Sequence, residues 1–226
     1  MQHVLIITGG HLNIDFAKAY IKTLSYDKVF AVDKGLEYTD SLGLIPDYLL
    51  GDFDTVQSEL LLSYEKKKRD GVIDTIIERY SPQKDATDTE LALNIAIEQG
   101  AKQITILAGT GSRIDHVFGN VGLLLQAVTK QVMVCLVDET NCIRMLDAKY
   151  NPNCIIERKR QHGKYISLIP LTAKVEGVTV TGALYPLANE TIVQGSSLSI
   201  SNQIVDDKME IQITTGKALV IESRDS

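Results

Sequence analysis

The sequence predicts an α/β chain in which an N-terminal, mostly parallel sheet with helices on both faces precedes a C-terminal antiparallel β-sandwich. Three observations predict it. Short apolar runs alternate with helical patterns over the first two-thirds of the 226 residues. Beyond about Asn141 the helical patterns stop, and short β-branched runs separated by turn residues take over. Acidic, basic and glycine residues gather where the N-terminal runs end, which is where open parallel sheets bind their ligands.

The N-terminal strand-like runs are residues 3–8, 28–32, 48–50, 72–78, 104–108 and 132–137. Continuous apolar runs with helix-like segments between most of them fit strands buried on both faces and joined by crossover helices. In the C-terminal part the runs are residues 165–171, 175–181, 198–201, 208–214 and 218–222, with no long amphipathic helix among them. Short runs of this kind between turn residues fit a small sandwich or barrel. The change of pattern falls within residues 141–153, around Asn151-Pro152-Asn153. It divides the chain into an α/β domain, 1–145, and a β-sandwich domain, 146–226.

Hydrophobic residues make up 44% and charged residues 23% of the chain, so wholesale disorder is not expected. The formal charge of −6 argues against a nucleic-acid partner, whose phosphates call for a basic surface. No apolar stretch reaches the roughly 20 residues that span a bilayer, so no membrane partner is expected. Met1-Gln2-His3 runs directly into an apolar strand without a basic leader. Cys135, Cys142 and Cys154 show neither paired nor metal-ligand spacing. Together these features point to a reducing cytoplasm.

The run ending at Leu50 continues as Gly51-Asp52-Phe53-Asp54-Thr55. If this piece stays extended, Asp52 and Asp54 point to one side and Phe53 to the other. Two carboxylates at a strand end can hold a hard cation such as Mg²⁺, although a lone Asp-x-Asp is more often a solvated acidic turn. A second element is Lys84-Asp85-Ala86-Thr87-Asp88-Thr89-Glu90. Thr87 and Glu90 form a capping-box pattern ahead of an apolar stretch that stops at Gly100, and Asp88 falls in the first turn. Helix capping therefore accounts for Thr87, Asp88 and Glu90 by itself. Lys84 and Asp85 lie outside that account, and a lysine beside exposed helix amides suits a phosphate.

The third element, Gly109-Thr110-Gly111-Ser112-Arg113-Ile114-Asp115-His116, follows the run 104–108. Its glycines permit close backbone approach; Arg113 can clamp phosphate oxygens, and Asp115 can bind metal or cap a helix. No Walker lysine pattern is present. His116 alone is more often a helix-start or packing residue than a base. Each cluster has an ordinary explanation, but all three stand at strand-to-helix transitions of one sheet. Acid pairs, basic residues and glycine loops on one rim are what a Mg²⁺-nucleotide site requires.

In this order the elements resemble the thiamine pyrophosphokinase family. Residues 51–55 are similar to its Gly-Asp-Phe-Asp-Ser element, residues 84–88 to its Lys/Gln-Asp-x-Thr-Asp element, and residues 111–116 to its Gly-Gly-Arg-x-Asp-His element. Tyr185-Pro186-Leu187, Asn189-Glu190, Gly195 and Ser201-Asn202 resemble its C-terminal signature. Ser112 stands where the family has a second glycine, Thr55 replaces serine, and Gln203 follows Ser201-Asn202 where the family often has glutamate. Ala31-Val32-Asp33-Lys34-Gly35 carries Lys34 at the first glycine of an Ala-Asp-Gly-Gly element. No departure removes a carboxylate from the three N-terminal clusters.

The resemblance implies transfer of the β,γ-diphosphate of ATP to the hydroxyl of thiamine, with AMP leaving. It implies Mg²⁺ held by Asp52, Asp54 and Asp88, with Lys84 completing the catalytic set. It assigns nucleotide contacts to Asp33, Asp85, Thr87, Arg113, Asp115 and His116, and thiamine contacts to Ser201 and Asn202. It further implies a homodimer with its sites at the subunit interface. The alternatives are a pyrophosphokinase of the same architecture acting on another small alcohol, such as a hydroxymethylpterin, and a non-catalytic nucleotide-binding module. Phosphoryl-type transfer asks mainly for positioning and charge neutralisation, which these residue types supply.

Overall fold

The structure, a computed structural model, describes residues 2–81, 83, 85–111 and 113–225. The chain divides into two compact units, residues 1–123 with 136–139, and residues 124–135 with 140–226.

The first unit opens with β1 (His3–Ile7), whose five residues are all buried. Then follow α1 (Ile14–Ile21), β2 (Lys28–Val32), α2 (Gly35–Ser41), β3 (Tyr48–Gly51), α3 (Ser58–Arg69), β4 (Ile76–Arg79), α4 (Asp88–Glu98) and β5 (Gln103–Leu107). Helix α5 (Ile114–Thr129) and strand β6 (Met133–Val137) are divided between the units. The five strands β1 to β5 lie in the order β4-β3-β2-β1-β5, every neighbour parallel. Parallel strands covered on both faces need apolar residues at successive positions, which is why the runs at β1, β2 and β5 contain so few polar residues.

Chain order runs from β1 outward to β4 and then jumps back to β5 on the other side of β1. Between β1 and β5, loops leave the sheet in opposite directions and open a crevice at the strands' carboxyl ends. Local chemistry fixes the helix starts around it. The Asn13 side chain accepts from the Phe16 amide at 3.1 Å to cap α1. The Thr87 hydroxyl accepts from the Glu90 amide at 3.2 Å to cap α4, as the capping-box pattern predicts. Gly100, at φ +86°, ends that helical stretch.

The second unit contains β7 (Asn141–Asp147), β8 (Asn153–Glu157), a 3₁₀ turn (Arg158–Arg160), β9 (Tyr165–Pro170), β10 (Lys174–Thr181), β11 (Leu187–Val193), β12 (Lys208–Gln212) and β13 (Lys217–Ser223). Strands β7-β13-β9 form one antiparallel array and β11-β10-β12-β8 another. Leu146, Leu168 and Val220 from the first array share one buried core with Val178, Ile192 and Ile211 from the second. A core shared by two antiparallel faces is the expected sandwich.

The segment 198–201, read from sequence as a strand, is a turn instead. Its apolar side chains face outward, Leu198 at 58% and Ile200 at 42% exposure, while the Ser199 hydroxyl is buried and donates to Leu168 O at 2.6 Å. Ser201 has φ +58°, which a strand does not accommodate. The run expected over 72–78 also starts later, at Ile76, because the preceding residues complete the exit from α3.

Candidate active site

A cleft of about 790 Å³ opens at the crevice beside β1, lined entirely by first-unit residues. Each wall is a loop at the carboxyl end of a strand or the start of a helix. Thr8 to His11 follow β1, Asp33 and Lys34 follow β2, and Asp52, Asp54 and Thr55 follow β3. Thr87 and Asp88 begin α4, and Gly109, Gly111, Arg113 and His116 lead into α5.

Two of these loops interlock. Ala108 takes φ +58°, a conformation costly for a residue with a Cβ. Its carbonyl accepts from the Gly10 amide at 3.1 Å and from the Thr8 hydroxyl at 2.8 Å. A Cβ on Gly10 would stand 2.2 Å from that oxygen, so only glycine lets the β1 loop pass. Asn120, buried on α5, donates to Gly109 O at 2.8 Å, and Thr110 donates to Asp138 Oδ2 at 2.6 Å. The glycine loops therefore have their backbone held open toward the cleft, as phosphate approach requires.

The acidic turn is built differently from the extended piece expected of it. Strand β3 ends at Gly51, and Phe53 adopts φ +62°. The Asp54 amide donates to Asp52 Oδ1 at 3.1 Å, closing an Asx turn. Phe53 drops into the core with Ala31, Leu49, Leu61 and Tyr64, while Asp52 and Asp54 both border the cleft. The two carboxylates reach one side through a turn rather than through strand alternation.

Asp88, the first residue of α4, lines the same cleft. Asp85 is exposed and does not line it. Lys84 and Ser112 lie outside the described residues. Arg113 borders the cleft and donates to both oxygens of Asp115, at 2.6 and 3.2 Å. This forked pairing pulls the Asp115 carboxyl down to about 2 and raises Arg113. Asp115 thus orients Arg113 rather than facing the cleft itself.

Ser201 and Asn202 belong to the second unit. Asn202 Oδ1 accepts from the Tyr185 amide at 3.0 Å and the Gln203 amide at 2.9 Å, and its Nδ2 donates to Tyr185 O at 2.7 Å. The side chain ties the Tyr185 segment to the one after Ser201. Sequence reasoning missed the β1 loop, Thr8 to His11, although Gly9-Gly10 directly after a strand is the same signal that marks Gly109 and Gly111. It also missed Asn120, whose role depends on a carbonyl eleven positions away.

Among the described residues, no three His, Cys, Asp or Glu side chains form a ready-made metal group. The donor chemistry nevertheless fits Mg²⁺. Asp52, Asp54 and Asp88 supply hard oxygens along one cleft, and Mg²⁺ commonly takes one or two carboxylates and completes its shell with substrate phosphates and water.

Comparison with known proteins covers nearly the whole chain. Residues 21–136 match the family model for the thiamin pyrophosphokinase catalytic domain, and residues 153–220 that for the thiamin pyrophosphokinase vitamin B1 binding domain. Thiamine pyrophosphokinase of Bacillus subtilis (strain 168) is 32% identical over 226 residues, covering 100% of both chains. The crystal structure of thiamine pyrophosphokinase from Bacillus subtilis superposes with TM-score 0.85 at 30% identity, covering 99% of this chain and 100% of that one. That of thiamin pyrophosphokinase from Geobacillus thermodenitrificans gives TM-score 0.83 at 30% identity, covering 99% and 98%.

Proposed function

The chain belongs to the thiamin pyrophosphokinase family, and from that premise we propose that it moves the β,γ-diphosphate of ATP onto the hydroxyl of thiamine, releasing AMP and thiamine diphosphate. The observation that carries the reading is a single cleft at the switch point of the sheet, lined by Asp52, Asp54, Asp88, Arg113 and two glycine loops. Acidic, basic and backbone donors converging on one cleft suit a charged triphosphate far better than an apolar ligand.

In this reading the amides of the loops after β1 and β5 cradle the phosphate chain, and Arg113, aimed by Asp115, neutralises its oxygens. Lys84 belongs to the same set by its resemblance to the family's motif. Thr87 and His116 flank the nucleotide, Thr87 chiefly by fixing the start of α4, and Asp85, like Lys84, joins the set only by its resemblance to the family's motif. Asp52, Asp54 and Asp88 are the residues that would hold Mg²⁺, which when bound supplies charge neutralisation at the transferring group. Asp88 is the residue we assign to accept the proton of the thiamine hydroxyl. Holding donor and acceptor in line is the main demand of such a transfer, and the fixed loops meet it.

We assign nucleotide chemistry to residues 1–145 and thiamine recognition to residues 146–226, with Ser201 and Asn202 on the thiamine side. A homodimer completes the assignment. Its support is the apolar surface around the segments that Asn202 clamps: Tyr185 is 62% exposed, Leu198 58% and Leu184 47%. Exposed apolar groups of this density mark interaction surfaces. Sedimentation giving a fully active monomer would refute the dimer. None of the helices among the described residues is long and apolar enough to cross a membrane, and together with the free thiols this supports a cytoplasmic setting.

The deciding experiment incubates the purified protein with Mg²⁺, ATP and thiamine and resolves the products by chromatography with mass detection. AMP and thiamine diphosphate appearing in equal amounts are expected. ADP with thiamine monophosphate would overturn the diphosphate transfer, and no thiamine-dependent product from a folded, ATP-binding protein would overturn the substrate.

A further inference from the structure

The acidic turn after β3 raises a mechanical question, because strand alternation is not what turns Asp52 and Asp54 toward the cleft. Something must hold Phe53 at φ +62° with its ring in the core. A carboxylate from the neighbouring loop does so: the Phe53 amide donates to Asp33 Oδ1 at 3.3 Å.

Asp33 is fixed from several directions. Its amide donates to Leu50 O at 2.9 Å, and its carbonyl accepts from the Leu36 amide at 3.0 Å, so its backbone joins the end of β3 to the first turn of α2. It adopts φ +47°, a region that aspartate and asparagine enter more readily than other side-chain-bearing residues. Its carboxylate lies directly over Gly51, where a Cβ would stand 1.8 Å from Oδ1. Gly51 itself has φ +149°. A glycine, a left-handed aspartate and a left-handed phenylalanine are thus arranged around one acceptor oxygen.

We propose that Asp33 is a positioning residue for the diphosphate transfer: its Oδ1 holds the Phe53 amide and thereby presents Asp52 and Asp54 to the cleft. This rests on the function proposed above and refines it, since the acceptor oxygen rather than the negative charge is what Asp33 contributes. A residue that bound nucleotide or cation through its charge would behave in the opposite way when made neutral.

The test compares Asp33→Asn with Asp33→Gly. Asparagine keeps an acceptor at the same place and tolerates the same backbone, whereas glycine tolerates the backbone and removes the acceptor. Wild-type formation of AMP and thiamine diphosphate is measured first, so a failure of the functional reading shows there and not in the variants. Asp33→Asn is expected to keep kcat within about fivefold of wild type, while Asp33→Gly loses about 10²-fold, the scale associated with misplacing reacting groups by an ångström. Mg²⁺ titration of the activity supplies a readout that a merely structural role would not move. Its midpoint rises in Asp33→Gly and stays close to wild type in Asp33→Asn. An Asp33→Asn variant that is folded by circular dichroism and loses 10²-fold or more overturns the proposal in favour of a charge-based ligand role. Asp33→Gly with wild-type kcat and Mg²⁺ midpoint overturns it equally. If Asp33→Gly does not fold, the Asp33→Asn result decides alone.

Discussion

Replacing Asn202 by alanine tests whether a residue of the C-terminal signature acts through ligand contact or through architecture. Its side chain makes three hydrogen bonds, two accepted from the amides of Tyr185 and Gln203 and one donated to Tyr185 O, all between 2.7 and 3.0 Å. A typical hydrogen bond contributes about 0.5–1.5 kcal/mol net, and groups near the surface regain water when a partner is lost, which favours the low end. Three bonds at about 0.5 kcal/mol give a loss of about 1.5 kcal/mol. For a chain of this size that corresponds to a fall in Tm of about 3–6 °C. Asn202→Asp keeps both acceptor bonds but sets a carboxylate oxygen against the Tyr185 carbonyl where the donor was, so it should lose more than one bond's share. Scanning calorimetry without thiamine isolates the effect from any ligand contact. An Asn202→Ala protein with wild-type Tm and only a raised KM for thiamine would refute the clamp and leave Asn202 as a pure ligand residue.

Asp88→Asn should melt within a few degrees of wild type yet release AMP at least about 10²-fold more slowly, the usual cost of one electrostatic contact in a transition state; steady-state turnover at wild-type rates from a folded variant would reject its role. Gly10→Ala places a Cβ 2.2 Å from the Ala108 carbonyl, so one of the two interlocked loops must move, and calorimetric binding of ATP should weaken at least tenfold, within the cost expected of an ångström-scale misplacement. Burial pushes the Tyr64 phenol up to about 12, with the nearby Asp40 carboxylate adding to it, so its ultraviolet titration should lag behind a free phenol. Because this pKa is raised in the folded protein, the associated stability is complete below pH ~10 and is lost as pH rises through about 12; Tyr64→Phe should remove that alkaline component from a plot of stability against pH.

The strands that were legible in the sequence are those whose environment imposes a simple pattern. β1, β2 and β5 lie inside a covered parallel sheet, so they read as unbroken apolar runs. β7, β8 and β11 were not legible: β7 lies where the pattern changes from one unit to the next, and β8 and β11 are the two edges of the four-stranded array. In Leu187–Val193 only Ile192 is buried, so most side chains carry no trace of the pairing that β10 imposes on the backbone. The converse error at residues 198–201 has the same root. Ser-Leu-Ser-Ile-Ser alternates perfectly, but its apolar face looks outward and its one buried group is a serine hydroxyl. Period-2 alternation reports a half-buried strand only when the apolar half is the buried one.

At the site, residue types were legible and backbone conformations were not. Asp52, Asp54, Asp88 and Arg113 were found because charged groups and glycines at strand ends are a visible signal. Asp33, Phe53 and Ala108 each occupy positive φ, at 47°, 62° and 58°, and nothing in the identity of Phe53 or Ala108 announces it. Each such residue costs on the order of 1 kcal/mol in backbone strain, and each stands at the carboxyl end of a strand bordering the cleft. The cost is sustained because the strands behind these loops are anchored: β1 is buried along its whole length, and Leu49, Leu50, Ile106 and Leu107 are fully buried beside it. A loop free to relax would trade strain for disorder and would have to be reordered whenever a triphosphate bound. Strained loops on a rigid sheet meet that ordering cost during folding instead, so more of the ligand's binding energy remains for aligning the diphosphate with the incoming hydroxyl.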